Sequence, residues 1–127
     1  MMTAQQRQLT RCELEVMDVV WNRRRATVQD VVDAVARTLA YTTVMTTMKI
    51  LDGKGVIRRC GKVGRAFLYE PLVSRDDVQR AMAGELTEKL FGGSVKSVVL
   101  SLIDGHSMSA AEIDELKQAI ESLEANQ

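Results

Sequence analysis

The chain has 127 residues, of which 46% are hydrophobic and 4% aromatic, and its formal net charge is zero. This length allows one ordinary core, or a small core with an oligomerisation element, and argues against a large catalytic domain. The longest apolar run, Val98-Val-Leu-Ser-Leu-Ile103, is far shorter than the roughly 20 residues that span a bilayer. The first eight residues also lack the apolar core of a secretion signal, so we expect a cytoplasmic protein without membrane insertion.

The zero net charge hides an asymmetry between the two halves of the chain. Up to Glu70 there are 12 lysines and arginines against 7 acids, whereas the remainder holds 5 basic and 10 acidic residues. A basic half can displace counterions from a nucleic-acid backbone, which would repel an acidic half. The pattern predicts two functions on one chain.

Two helices are predicted in the first third of the chain, each introduced by a capping box. Thr10 precedes Glu13 by three residues, and the apolar face that follows runs as far as the Arg23-Arg-Arg25 break. Thr27 and Asp30 predict a second capping box at the start of a short second helix. The arginine run is either a solvated loop or a contact to phosphate, and the pattern leaves both open.

The third predicted helix, Tyr41-Thr-Thr-Val-Met-Thr-Thr-Met-Lys-Ile-Leu51, contains four threonines in six positions. Threonine is not a favoured helix residue, because its branched side chain restricts χ1 and its hydroxyl competes for backbone hydrogen bonds. Short hydroxyl and methyl groups instead suit a helix that enters the major groove of DNA. With Val44, Met48 and Leu51 buried, the helix would present an outward stripe of Thr42, Met45, Thr46 and Lys49.

A β-hairpin is predicted after this helix. Val56–Cys60 and Arg65–Glu70 are rich in β-formers, and the intervening Gly61-Lys-Val-Gly64 reads as a loop. Lys62 and Arg65 would then lie at or near the tip. Three helices followed by a basic hairpin predict a winged helix-turn-helix, so the fold class is mainly α with a small β-hairpin wing.

Beyond Pro71 three amphipathic helices are predicted, and the chain should divide into a DNA-binding domain (1–73) and a helical dimerisation domain (74–127). Isolated helices this short are marginal in water, so their apolar surface predicts pairing with a second copy. Two copies would read a palindromic DNA site. The predicted dimerisation residues are Val78, Met82, Leu86, Leu90, Val98, Val99, Leu102, Ile113, Leu116 and Ile120. The predicted DNA-binding residues are Thr27, Thr42, Thr43, Met45, Thr46, Lys49, Lys62 and Arg65.

Several segments together resemble the penicillinase-repressor family, the BlaI, MecI and CopY group. They are the Leu9-Thr-Arg-Cys-Glu-Leu-Glu-Val-Met-Asp-Val-Val-Trp21 opening, the Tyr41–Leu51 helix, the Lys54-Gly-Val-Ile57 turn, Tyr69 before Pro71, and Ser109-Ala-Ala-Glu-Ile-Asp-Glu-Leu116. The resemblance implies a dimeric winged-helix repressor on operator dyads that blocks transcription of resistance or stress genes. It also implies that the recognition helix and wing contact DNA, while C-terminal helices interleave with those of the partner.

Two departures from the family pattern bear on how repression is relieved. Relatives released by a membrane sensor system are cleaved at an Asn-Phe bond, and the aligned pair here is Ser101-Leu102. This difference argues against a regulatory protease as a partner. Copper-responsive relatives end in a cysteine-rich tail, whereas this chain ends Ser122-Leu-Glu-Ala-Asn-Gln127, so we expect no copper sensing by that route.

The remaining reactive side chains do not predict catalysis. Cys12 and Cys60 have no Cys or His at ligand spacing and read as small buried hydrophobes, with a redox or metal switch as the alternative. His106, the only histidine, is expected in a surface turn. We therefore expect no enzyme activity, cofactor or metal. The competing hypothesis is an adaptor whose winged helix binds a protein instead of DNA.

Overall fold

The computed structural model describes residues 2–126. It contains α1 (Ala4–Arg7), α2 (Arg11–Arg23), α3 (Val28–Ala34), α4 (Tyr41–Gly53), β1 (Ile57–Val63), β2 (Ala66–Pro71), α5 (Arg75–Phe91), α6 (Val95–Gly105) and α7 (Ala110–Ala125). The two strands form one antiparallel sheet. The prediction of a mainly helical fold with a small hairpin wing is confirmed. None of the helices in residues 2–126 combines the length and apolar character that crossing a bilayer requires.

Side-chain caps start the helices at the predicted positions. Thr10 caps α2, Thr27 caps α3 and Ser109 caps α7, each as part of a capping box with the acidic residue three positions later. In each box the hydroxyl accepts from a backbone N–H and the carboxylate accepts from the N-cap amide. Each cap is worth about 1 kcal/mol, so these local interactions fix where the helices begin.

The chain divides into two compact units, Met1–Gly84 and Glu85–Gln127. The first unit has a continuous apolar core to which α2, α3, α4, the sheet and α5 all contribute. The fully buried side chains include Met17, Met48, Leu51, Ile57 and Val31. Because Val44, Met48 and Leu51 lie on one side of α4, this helix is held to the core by a single apolar stripe, as its sequence predicts.

The first unit includes the beginning of α5. Val78 is 1% exposed and belongs to the core, and Met82 packs against it. The Trp21 indole Nε1 donates to the Val73 carbonyl at 2.9 Å, which ties α2 to the segment before α5. The contacts therefore end the first unit at Gly84, within α5, whereas the sequence places the domain boundary between residues 73 and 74.

The wing differs from its prediction in where it turns. Gly61, Lys62 and Val63 belong to β1 and do not form a loop, and only Gly64 and Arg65 connect the strands. Gly64 has φ +62°, a conformation that glycine adopts without steric cost. The register shifts by one residue between Arg59 and Gly61, which forms a β-bulge at Cys60.

Some local features were not predicted from the sequence. A four-residue helix, α1, begins after Thr3, and the amide of Gln6 donates through its Nε2 to the Gly55 carbonyl at 2.8 Å. An isolated bridge pairs Ala26 with Tyr69 and adds a third segment beside β2. We expected both cysteines to be buried, but Cys12 and Cys60 are only half-buried. Both are free thiols.

In the second unit, α6 and α7 follow the C-terminal end of α5. Gly92 and Gly93 both have positive φ and separate α5 from α6, as their position predicts. No residue of α6 or α7 within the described part is buried. Between residues 85 and 126, eleven large hydrophobic side chains are exposed, namely Leu86, Leu90, Val95, Val99, Leu100, Leu102, Ile103, Ile113, Leu116, Ile120 and Leu123. His106 lies exposed at the C-cap of α6.

Candidate nucleic-acid interface

Helix α4 presents the predicted polar stripe to solvent. Thr42, Thr43, Thr46 and Lys49 are exposed, and Met45 is half-buried beside them. The opposite side of the helix carries the buried apolar residues. The exposed stripe is therefore built of short hydroxyl and methyl groups with one cation, on a helix fixed from behind by the core.

Thr47, the fourth threonine of the cluster, has a structural role. It is 7% exposed, and its Oγ1 donates to the Thr43 carbonyl at 2.8 Å. The Cys12 Sγ lies 3.6 Å from the same Oγ1, so this hydroxyl sits between α2 and α4. The unusual threonine content thus has two causes, one in the interior and one on the exposed side.

A buried ion pair fixes the C-terminal end of α4. The Lys54 Nζ lies 2.8 Å from a carboxylate oxygen of Glu13, a residue that is only 3% exposed, and it also donates to the Gln8 carbonyl. Burial raises the pKa of Glu13, but the hydrogen bonds from Lys54 and Thr10 outweigh burial, and the net pKa is lowered. The ion pair between Lys54 and ionised Glu13 thereby joins the start of α2 to the end of α4.

Apart from Arg7, the cations of the basic half fall into two groups by their ion pairs. Arg11, Arg23, Arg37, Lys54 and Arg58 each have a carboxylate partner. Within residues 2–126, six cations of this half have no carboxylate within 4 Å. They are Arg24, Arg25, Lys49, Arg59, Lys62 and Arg65. Four of these six lie on α4 or the wing, where positive charge is left available to an anion.

Two of these four are the predicted wing cations. Lys62 is exposed within β1, directly opposite Phe67, and Arg65 is exposed in the two-residue turn. Arg65 therefore lies at the tip of the wing. Lys62 lies one residue before Val63, whose pair with Ala66 is the last before the turn. Arg59, on the same strand, was not among the predicted residues.

Thr27 lies at the start of α3 and is 6% exposed, so its side chain has little surface to offer DNA directly. Its hydroxyl accepts from the Asp30 amide at 3.1 Å, and its own amide donates to the Asp30 carboxylate at 2.9 Å. The Thr27 amide is the main reason that the pKa of Asp30 is lowered. Thr27 therefore orients the first turn of α3, which is an indirect role.

The arginine run lies at the other end of the sheet from the wing tip. Ala26 pairs antiparallel with Tyr69, and β2 runs from the tip at Ala66 to its end at Pro71. A segment antiparallel to β2 runs towards the tip, so Arg24 and Arg25 precede Ala26 on the far side. Of the two alternatives for this run, the register favours the solvated loop.

The predicted dimerisation residues do not all lie on accessible surface. Val78 is buried in the core of its own chain, and Met82 is half-buried against that core, so neither offers much surface to a partner. These two were grouped with the others because α5 continues their apolar spacing without a break. Seven of the remaining eight are exposed in the second unit, and Val98 is half-buried there.

Comparison with known proteins identifies a common family. The family model described as "Penicillinase repressor" matches residues 9–122. The chain is 34% identical over 117 residues to "Transcriptional regulator BlaI" of Mycobacterium tuberculosis, covering 89% of this chain and 83% of that protein. It is 28% identical over 116 residues to "Penicillinase repressor" of Bacillus licheniformis, covering 90% of each.

A solved structure supports the assignment of the first unit. It is the solution structure of the DNA-binding domain of the repressor BlaI, with a TM-score of 0.51 and 29% identity, covering 61% of this chain and 93% of that one. The winged-helix prediction is thereby confirmed. The family consists of transcriptional repressors, which are not enzymes, and this confirms the prediction that the chain is not an enzyme. The chain belongs to the penicillinase repressor family.

Proposed function

We propose that the chain is a homodimeric transcriptional repressor that acts in the cytoplasm on palindromic operator DNA. The observation that carries the proposal is the exposed threonine stripe of α4 beside the unpaired cations of the wing. A helix held to its core by one apolar stripe can enter the major groove with the opposite side. Family membership and the BlaI DNA-binding domain support the same function.

The side chains of the stripe suit base edges and phosphates together. Thr42, Thr43 and Thr46 offer hydroxyls that donate or accept and methyl groups that pack on thymine methyls. Lys49 adds a point charge for a base edge or a phosphate. Lys62 and Arg65 on the wing would then hold the phosphate backbone and set the register of the helix.

The second unit supports the homodimer. Its eleven exposed large hydrophobic side chains are far more than scattered surface apolar residues. Short helices with such surfaces gain stability by packing against another chain. A two-fold axis would also present two copies of α4 to one duplex, which explains a palindromic operator.

Two substitutions separate base reading from backbone contact. Thr46→Val keeps the size of the side chain and removes its hydroxyl, so it should change base preference. Arg65→Ala should weaken binding to all sequences alike and lower the slope of log K against log salt by about 1 per protomer bound. Equal effects of the two substitutions on selected and random duplexes would contradict these assignments. Duplexes selected from a random library by the wild-type protein would supply the site.

Leu116→Asp tests the dimer. Leu116 is 41% exposed in α7, so the aspartate would stay partly solvated in a monomer but would be buried in the proposed interface. Sedimentation should show a monomer, and affinity for the selected duplex should fall. Gln118→Asp, which makes the same change of charge on the exposed side of α7 opposite the apolar stripe, is the matched control. A dimer undiminished by Leu116→Asp would remove this part of α7 from the interface.

The adaptor alternative predicts a different salt response. DNA binding through several phosphates weakens steeply between about 50 and 200 mM salt, because counterion release loses its advantage. A protein-binding adaptor would show no affinity for duplexes even at low salt. Sequencing the DNA that is crosslinked to the protein in cells would show which genes it controls, and whether they concern resistance or stress.

A further inference from the structure

The register of the wing divides its side chains between two faces. Opposed residues of an antiparallel pair point to the same side, and residues two apart in a strand share a face. Arg59 is paired with Tyr69, which is 4% exposed, and follows the fully buried Ile57 by two residues. Arg59 therefore belongs to the face on which the helices pack. Helix α4 is one of the helices in contact with β1.

The bulge at Cys60 brings a second cation onto this face. In a regular strand, Arg59 and Lys62 would point to opposite sides, because three positions separate them. The extra residue of the bulge shifts the alternation by one position, so that Lys62 is paired with Phe67. Phe67 shares its face with Tyr69, two residues on. Arg59, Lys62 and Phe67 consequently lie together.

The Phe67 ring contacts both cations. The Arg59 guanidinium carbon lies 3.9 Å from the ring centroid, and the Lys62 Nζ lies 5.0 Å from it. Phe67 is 37% exposed, so part of the ring lies at the surface beside the two cations. A guanidinium that stacks through its face keeps its in-plane N–H donors available for another acceptor.

The opposite face of the wing carries a neutral pair. The Arg58 guanidinium lies 2.7 Å from the Glu70 carboxylate, and these two residues are directly opposed in the register. Among the described strand residues of the hairpin, uncompensated positive charge thus lies on one face, the face shared with the helices. A polyanion would be drawn to that face and not to the other.

We propose that Phe67 is a positioning residue that holds Arg59 and Lys62 against the phosphates of duplex DNA, and that Arg59 is a further DNA-binding residue. This inference rests on the proposed function and adds to it the contacting face of the wing. Bidentate Arg–phosphate contacts require a fixed guanidinium plane, and an aromatic platform provides one. The bulge is then the feature of the backbone on which the arrangement depends.

The experiment measures binding of the full chain to a random-sequence duplex a few helical turns long, between about 50 and 200 mM salt. Arg59→Ala should lower the slope of log K against log salt by about 0.9 per protomer bound, and Arg59→Ala with Lys62→Ala should lower it by about 1.8 per protomer. Phe67→Leu should weaken binding about two- to fivefold per protomer, because the freed side chains of Arg59 and Lys62 must then be immobilised on binding. Phe67→Trp should retain wild-type affinity.

The matched control is the double variant Arg58→Ala, Glu70→Ala. It removes the neutral pair from the other face at constant net charge, and its salt slope should equal that of the wild type. In the background lacking both Arg59 and Lys62, Phe67→Leu should have no further effect, which a merely structural role of the ring would not predict. Thermal melting of each variant establishes that it is folded.

Three results would overturn the inference. One is a loss from Phe67→Leu that persists without the two cations, and another is a slope lowered as much by the control as by Arg59→Ala. In both cases the wild-type protein still binds DNA with a steep salt dependence, so the proposed function stands. The third is a wild-type protein that binds no duplex at low salt, which would refute the proposed function and this inference together.

Discussion

Lys54→Met would test whether the buried ion pair holds the end of α4 in place. Removing one partner of a buried pair costs about 3–5 kcal/mol, because the other charge is left without compensation. Glu13 is 3% exposed, whereas the Lys54 side chain is 22% exposed, so water can approach the pair from the side of the lysine. We therefore expect the lower end of the range, a loss of about 3 kcal/mol in the free energy of unfolding at pH 7.

This loss should shrink on acidification. In the wild type the pKa of Glu13 is lowered from its ordinary value of 4.5, so ionised Glu13 stabilises the fold above that pH. The contribution is lost as pH falls through the folded pKa. In Lys54→Met the buried Glu13 carboxylate has no cation beside it, so its charged form is disfavoured. Protonation of Glu13 therefore removes much of the destabilisation in the variant. The two proteins should therefore approach each other in stability below about pH 4.5.

Urea unfolding followed by circular dichroism at pH 7 and pH 4 measures both effects. The control is Glu13→Gln combined with Lys54→Met, which removes both charges and should recover most of the loss at pH 7. A loss below about 1 kcal/mol for Lys54→Met at pH 7 would refute the reasoning. A gap between variant and wild type that stays constant down to pH 4 would refute it as well.

Gly64→Ala should lower the free energy of unfolding by about 1 kcal/mol, because the turn residue has φ +62°; an unchanged melting temperature would mean that the turn has another conformation. Trp21→Phe should cost about 1 kcal/mol in urea unfolding, since the Val73 carbonyl loses its donor. An unchanged free energy of unfolding would show that this hydrogen bond does not stabilise the fold. Ser109→Ala should cost about 1 kcal/mol through loss of the α7 cap, and Ser109→Asp should restore it; helical circular dichroism on heating measures both.

Features that depend on neighbours in sequence were predictable. Thr10, Thr27 and Ser109 start their helices as expected, because a capping box uses residues only three positions apart. The exposed stripe of α4 followed from the helical period, since Val44 and Met48 define the buried side. The resemblance to the penicillinase-repressor family also rested on short local segments, and membership of that family is confirmed.

Features that depend on distant partners were not predictable. Gly61 reads as part of a loop, but its strand continues because the opposite strand supplies the pairing partner Leu68. The apolar spacing of α5 is continuous, so nothing in it shows that Val78 enters the core of its own chain. That Arg59 lies beside Lys62 was not predictable, because only the bulge brings the two residues to the same face.

The extension of the first unit into α5 determines how the two halves can be separated. A fragment that ended at residue 73 would lose Val78 and leave a gap in the apolar interior that this side chain fills. A fragment that ended at Gly84 would retain it. Dominant-negative or sensor proteins made from the DNA-binding half alone should therefore be cut in the middle of a helix and not at the proline that precedes it.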